Sequence, residues 1–143
     1  MEKLRMRVRF DYIGKAKSSR LWGNKNVAQI AEEIRQQKMA FIRNVPIQGI
    51  HVEDVDMSAD VYTLVDEITG KPVAYAPVTI IFSADTLEDA IQFTMNEEFK
   101  TVQVLEPEEI SLSRVDIERM LFKVGKEVNA FKDYLERKMD NWK

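Results

Sequence analysis

The chain has 143 residues, of which 45% are hydrophobic and 31% charged, and it contains no cysteine. This length and composition are those of one globular domain with a single core. The lack of cysteine excludes disulfides, thiolate nucleophiles and cysteine-ligated metal centres. No stretch approaches the roughly 20 apolar residues of a membrane span, so we expect a cytoplasmic protein that makes no contact with a membrane.

The formal net charge of −3 hides an uneven distribution of charge along the chain. Residues 1–50 carry eleven Lys or Arg and four Asp or Glu, whereas residues 51–143 carry ten and twenty. A basic first half is compatible with binding of an anionic partner. It is equally compatible with attraction between the basic half and the acidic half, either within the fold or across a dimer.

The first part of the chain predicts a strand, a loop and a helix. Apolar residues at positions 4, 6, 8 and 10 alternate with charged residues, as in a strand with one buried face. Small and polar residues from 14 to 24 predict a long loop. A capping residue at Asn26 begins an amphipathic helix to about Ala40, with Arg35 on its solvent side. Residues 45–60 fit either an acidic loop or a short strand near Ile50 followed by a loop.

The second part predicts two strands joined by a turn at Gly70, then a short helix, a strand and a long helix. The two strands cover about residues 61–65 and 73–82. Pro77 cannot donate a hydrogen bond to a neighbouring strand, so it should face an edge or a bulge. The short helix begins at Ser83 or Asp85, a strand covers residues 101–105, and the last helix runs from Ser113 to about position 142.

This order of elements predicts an α+β fold. We expect a ferredoxin-like βαββαβ sandwich with an additional long C-terminal amphipathic helix. Residues 1–110 would form the core of the sandwich, and residues 111–143 would form the helix within the same single domain. An extra strand near position 50 would leave the fold class unchanged.

The last helix carries an apolar stripe whose members advance by alternating steps of four and three residues, which is the spacing of a heptad. From Arg114 to Trp142 it would span roughly 43 Å, whereas the radius of gyration expected for such a chain is about 14 to 15 Å. We therefore predict a homo-oligomer, most simply a dimer, that uses this helix. The alternative is that a bend at Gly125 folds the helix back along its own sheet. The predicted interface consists of Leu121, Val124, Val128, Phe131, Leu135, Met139 and Trp142.

A row of basic residues alternates with the apolar residues of the first strand and would project from the open face of the sheet. Basic and aromatic residues of the following loop and of a later strand extend this surface. It predicts binding of an anionic ligand or an acidic protein partner. One alternative is that this surface binds single-stranded RNA or DNA, whose bases stack on aromatic rings. Another is that acidic groups neutralise the row of basic residues. The predicted surface comprises Arg5, Arg7, Arg9, Lys15, Lys17, Arg20, Trp22 and Tyr75.

Catalytic motifs are scarce in this sequence. The one histidine lies close to carboxylates in a segment that could hold a hard divalent cation, although its spacing matches no EF-hand or zinc motif. Scattered glycines exclude phosphate-binding loops. We therefore predict a non-catalytic binding module without a cofactor, and a carboxylate- or metal-dependent enzyme is the remaining alternative. The candidate metal ligands are His51, Glu53, Asp54 and Asp56.

Overall fold

A computed structural model describes residues 3–16 and 26–141 of the chain. Within these ranges the fold is a mixed α+β structure with a five-stranded antiparallel sheet and three helices. The predicted fold class and the long C-terminal helix are thus confirmed. The elements are β1 (Leu4–Lys15), α1 (Val27–Asn44), β2 (Ile50–Asp56), β3 (Tyr62–Val65), β4 (Pro72–Ala84), α2 (Leu87–Thr94), β5 (Phe99–Glu106) and α3 (Arg114–Asp140).

The sheet is built around its two longest strands, β1 and β4. The strand order is β2-β4-β1-β5, and β3 also pairs with β4. The β1–β4 register runs from Leu4 opposite Ala84 to Lys15 opposite Val73. Because side chains alternate along a strand, this register gives the sheet an apolar side towards the helices and a second side that we call the open face.

The core fills the helix side of the sheet. From β1 it takes Leu4, Met6, Val8 and Phe10, as the alternation predicts, and from β4 the alternate residues 74, 76, 78, 80 and 82. Helices α1 and α2 contribute small or flexible side chains, and Phe93 of α2 packs edge-on against the rings of residues 10 and 82.

Pro77 explains why one edge of the sheet is divided between two strands. The β2 ladder on β4 ends at Thr79 and the β3 ladder begins at Tyr75, so none of the described strands pairs with residues 76–78 on that side. Pro77 has no backbone N–H, but no hydrogen bond between strands is lost on that side because no described strand pairs with it there. The side chain of Arg35, from α1, fills the gap and donates hydrogen bonds to the carbonyls of Ala59 at 2.8 Å and Pro77 at 3.0 Å. Arg35 is therefore buried, and its predicted place on the solvent side is wrong.

The helix starts follow the sequence with one exception. Asn26 and Gln29 form the predicted capping box of α1, and Ser113 forms one with Asp116 at α3. Helix α2 instead begins after Thr86, whose hydroxyl accepts a hydrogen bond from a backbone N–H of the first turn. The two predicted caps are engaged elsewhere, because residue 83 lies in β4 and the carboxylate of residue 85 contacts His51.

Helix α3 has 27 residues and none of them is buried. It is continuous through Gly125 and packs against α2. At 1.5 Å per residue its length is about 40 Å. The helix therefore does not bend at Gly125 and fold back along its own sheet. Among the described residues no helix combines the length and the apolar character needed to cross a membrane.

Candidate functional site

The predicted arginine row lies on the open face of the sheet. In the register, Arg5, Arg7 and Arg9 lie opposite β4 residues 83, 81 and 79, while their neighbours along β1 point into the core. The side chains of Arg5 and Arg9 remain 40% and 44% exposed. The alternation that builds the core thus also determines which cations line the outer surface.

Two of these three guanidinium groups are paired with carboxylates. Arg5 donates to Glu53 at 2.7 Å and lies 4.0 Å from Glu106. Arg9 makes two hydrogen bonds with Asp11, at 2.8 and 3.0 Å. These hydrogen bonds raise the pKa of each arginine above its ordinary value. Carboxylates of the same chain therefore compensate the charges of Arg5 and Arg9.

Arg7 differs from its two neighbours in the row. It is exposed, and its guanidinium donates a hydrogen bond at 2.9 Å to the amide oxygen of Gln103 on β5. Within residues 3–16 and 26–141 no carboxylate forms an ion pair with it. A neutral partner leaves the positive charge of Arg7 uncompensated and most of its donors open to a ligand.

A polar network beside Arg9 explains why one carboxylate on the open face is buried. Asp11 is 1% exposed and accepts hydrogen bonds from Arg9 and from the hydroxyl of Tyr62, the latter at 2.5 Å. Burial alone would raise the pKa of Asp11, but these hydrogen bonds and the charges of Arg9 and Lys100 outweigh it, so that the pKa lies below its ordinary value.

Tyr75, the predicted aromatic residue of this surface, belongs to the same network. Its ring stacks on that of Tyr62 with centroids 5.1 Å apart, and the ammonium of Lys100 lies 5.5 Å from the Tyr75 ring centre. Contacts within the chain therefore engage this ring on β4. Such stacking and cation–π contacts stabilise the edge at which β3 joins the sheet.

We predict that Tyr62 makes the stability of the protein fall as the pH rises from about 10 to about 12. Burial, together with the hydrogen bond to Asp11, raises the pKa of Tyr62 to about 12, whereas an unfolded tyrosine titrates near 10. The unfolded state loses its proton first, so alkali favours unfolding over this interval. Urea unfolding at several pH values should give a shallower fall for Tyr62→Phe, and equal slopes would contradict the prediction.

The four candidate metal ligands lie on strand β2, and three of them contact different partners. His51 lies 3.0 Å from Asp85, and Glu53 pairs with Arg5. The side chain and the backbone N–H of Ser58 donate to Asp56 and lower its pKa, while Asp54 lies at the irregularity of the ladder. In the parts of the chain that the structure describes, no three His, Asp or Glu side chains are grouped to hold a metal ion.

The remaining basic candidates are placed in part. Lys15 is exposed at the end of β1. Lys17, Arg20 and Trp22 lie outside the described residues, so the predicted continuity of the basic surface through the loop stays a prediction.

The predicted interface of α3 forms an apolar stripe that is largely exposed. Among the described residues it consists of the following side chains, which we call the seam: Leu121, Val124, Val128, Phe131, Leu135 and Met139. Val124 is half-buried, the other five are between 42% and 68% exposed, and Trp142 lies outside the described residues.

Sequence reasoning missed three features of these surfaces. It did not identify Gln103 as the partner of Arg7, nor Tyr62 as the group that covers Asp11. It also did not identify Val102 and Val104 of β5 as exposed. Parity along β5 assigns Val102 and Val104 to the apolar side of the sheet, but nothing in the sequence indicates that this side is left uncovered there.

Comparison of the chain with models of protein families, with curated proteins and with solved structures finds no match.

Proposed function

We propose that this chain is a non-catalytic binding module that works as a homo-oligomer, most simply a dimer, assembled through α3. The observation that carries this proposal is the exposed seam of a 27-residue helix without a buried residue. Contiguous exposed apolar patches usually belong to interfaces.

The surface area of the chain supports the same proposal. The accessible surface is 10557 Å², whereas a compact monomer of 16.6 kDa would have about 7,600 Å². The excess of about 3,000 Å² is larger than the roughly 800 Å² that each partner buries in a standard interface. Helix α3, which has no buried residue, contributes to this excess.

We predict that acidic residues in the seam dissociate the oligomer. The variant Val128→Glu with Leu135→Glu should weaken self-association at least tenfold, because two charges would have to be desolvated in an apolar contact. The measurement is sedimentation velocity combined with light scattering over a range of concentrations. The matched control, Asn129→Glu with Ala130→Glu, adds the same charge to exposed positions away from the seam. Equal association of both variants, or a monomeric wild type at every concentration, would contradict the proposal.

We further propose that the open face binds an acidic segment of a protein partner through Arg7. Arg7 supports this because its charge is uncompensated and its planar group matches a carboxylate. The carboxylates that border the row at Glu53, Asp54 and Glu106 reduce the density of positive charge. A polyanionic nucleic acid, which needs several free cations along its backbone, therefore fits this surface less well.

We predict that Arg7→Ala weakens binding of a fluorescent glutamate-rich peptide three- to tenfold. The control is Arg43→Ala, which removes the same charge from an exposed position on α1. Fluorescence anisotropy at about 50 and 200 mM salt gives both affinity and salt dependence. Equal losses in the two variants would contradict a role of Arg7. Tighter and steeply salt-dependent binding of single-stranded RNA would favour the nucleic-acid alternative.

We also propose that the sheet is a variant of the ferredoxin-like arrangement in which one edge strand is divided into β2 and β3. The strand order β2-β4-β1-β5 and the antiparallel pairing support this interpretation. The gap at Pro77 is the local cause of the division.

A further inference from the structure

Strand β5 leaves apolar side chains uncovered on the helix side of the sheet. Val102 and Val104 lie opposite Val8 and Met6 in the register, so they point to the same side as the core. Val8 and Met6 are 0% and 7% exposed, whereas Val102 and Val104 are 40% and 50% exposed. Phe99, opposite the core residue Phe10, is likewise 40% exposed. We call Phe99, Val102 and Val104 the β5 flank.

The β5 flank and the α3 seam are two apolar surfaces of one chain that both remain exposed. Strand β5 has eight residues and spans about 27 Å, so it is shorter than α3, which spans about 40 Å, and the whole flank can lie along one part of the seam. In the strand order β5 stands at the end, so a helix can approach its flank from the side. Packing of an amphipathic helix on an uncovered sheet face is the usual way in which both are buried.

We infer that α3 of one copy packs its seam on the β5 flank of a second copy, and that the second copy returns the same contact. This inference rests on the proposed oligomer and specifies how it assembles. A two-fold axis makes the exchange reciprocal and closes the assembly at two copies. The contact buries both apolar surfaces of each chain, whereas pairing of two α3 seams alone would leave the β5 flank in water.

The size of the interface supports a second copy as the occupant. Each copy contributes one seam and one flank, so the apolar contact forms twice per dimer. A permanent dimer interface buries about 1,000 to 2,500 Å² of each copy, which is less than the roughly 3,000 Å² by which each chain exceeds the surface of a compact monomer of its mass. No other partner is required to cover either surface.

The chain has no cysteine, so single engineered cysteines can report which surfaces meet. We would prepare chains with Val104→Cys and, separately, chains with Val124→Cys, Val128→Cys or Leu135→Cys. Each flank chain would be mixed with one seam chain, and the subunits would be left to exchange. A short bismaleimide should then form a covalent heterodimer with at least one seam position. Since each chain carries one cysteine, such a product can form only between two copies.

The control replaces Val104→Cys with Gln103→Cys, the adjacent residue, which points to the open face of β5. We expect crosslinking with Gln103→Cys to be at least tenfold slower. Equal rates for the two positions, or crosslinks only between two seam cysteines, would overturn the inference and leave the proposed oligomer intact. A wild-type chain that stays monomeric would overturn both. An intrachain crosslink in a chain carrying both cysteines, without a heterodimer in the mixture, would assign the flank to the chain's own helix and overturn the inference.

A second measurement does not depend on crosslinking chemistry. Val102→Glu with Val104→Glu should weaken dimerisation at least tenfold, whereas Thr101→Glu with Gln103→Glu, on the opposite face of the same strand, should change it less than twofold. Circular dichroism establishes that the variants are folded. A dimer that survives both pairs of substitutions equally well would overturn the inference.

Discussion

Replacing Arg35 with methionine is expected to lower the free energy of unfolding by about 3 kcal/mol. Arg35 is 4% exposed, and its guanidinium donates to the carbonyls of Ala59 and Pro77 and to Glu32 at 2.6 Å. Methionine replaces the aliphatic part of the side chain but has no donor. The carbonyl of the buried Pro77 would then be left without a partner, and a buried unsatisfied group costs about 1–3 kcal/mol. The carbonyl of the exposed Ala59 and the carboxylate of Glu32 would also lose their donor.

Urea unfolding followed by circular dichroism at a fixed protein concentration measures this loss. Lys38→Met is the matched control, because it removes a cation from an exposed position of the same helix and should change stability by no more than about 0.5 kcal/mol. Arg35→Lys should fall between the two, since an ammonium group restores the charge but not the planar set of donors. A loss in Arg35→Met no larger than in Lys38→Met would mean that water replaces the guanidinium in the gap.

The burial of Arg35 also shows where prediction from the sequence ends. Arginine is ordinarily exposed, and this average behaviour assigns Arg35 to the polar side of α1. Its spacing indicates the opposite, because it lies one helical turn from each of the buried residues Ala31 and Met39. The sequence does not show the gap beside Pro77 that receives the guanidinium, because a long-range match between a helix residue and a strand interruption leaves no local signal.

The features that depend on local chemistry were predictable. The alternation in β1 identified the core residues and the arginine row, and side-chain spacing identified the caps of α1 and α3 as well as the seam. Asp11 is an exception to the alternation of buried and exposed residues in β1. Its position places it on the open face, but Tyr62 and Arg9 cover it there, so it is buried. The partners of Arg5 could not be predicted, since Glu53 and Glu106 reach it through the register of β2 and β5. The partner of Arg9 is local, because Asp11 follows it by two residues on β1.

Replacing Gly14 with alanine is expected to lower the free energy of unfolding by about 3 kcal/mol, at the upper end of the usual cost of overpacking. A Cβ atom at Gly14 would lie 2.4 Å from the carbonyl oxygen of Val27 and 2.5 Å from the backbone nitrogen of Ala31. Both atoms belong to the first turns of α1, so no side-chain rotation can relieve the contact. The helix would have to move away from β1, and this would open the core between them.

The same substitution at Gly125 provides the control. A Cβ at Gly125 would meet no atom within 4 Å, and alanine favours the helix interior over glycine by about 1 kcal/mol. Gly125→Ala should therefore stabilise the protein while Gly14→Ala destabilises it, as measured by thermal and urea unfolding under identical conditions. The contrast isolates the close approach of α1 to β1 from the general effect of replacing a glycine. Equal stabilisation by both substitutions would show that α1 can shift along the sheet without loss of packing.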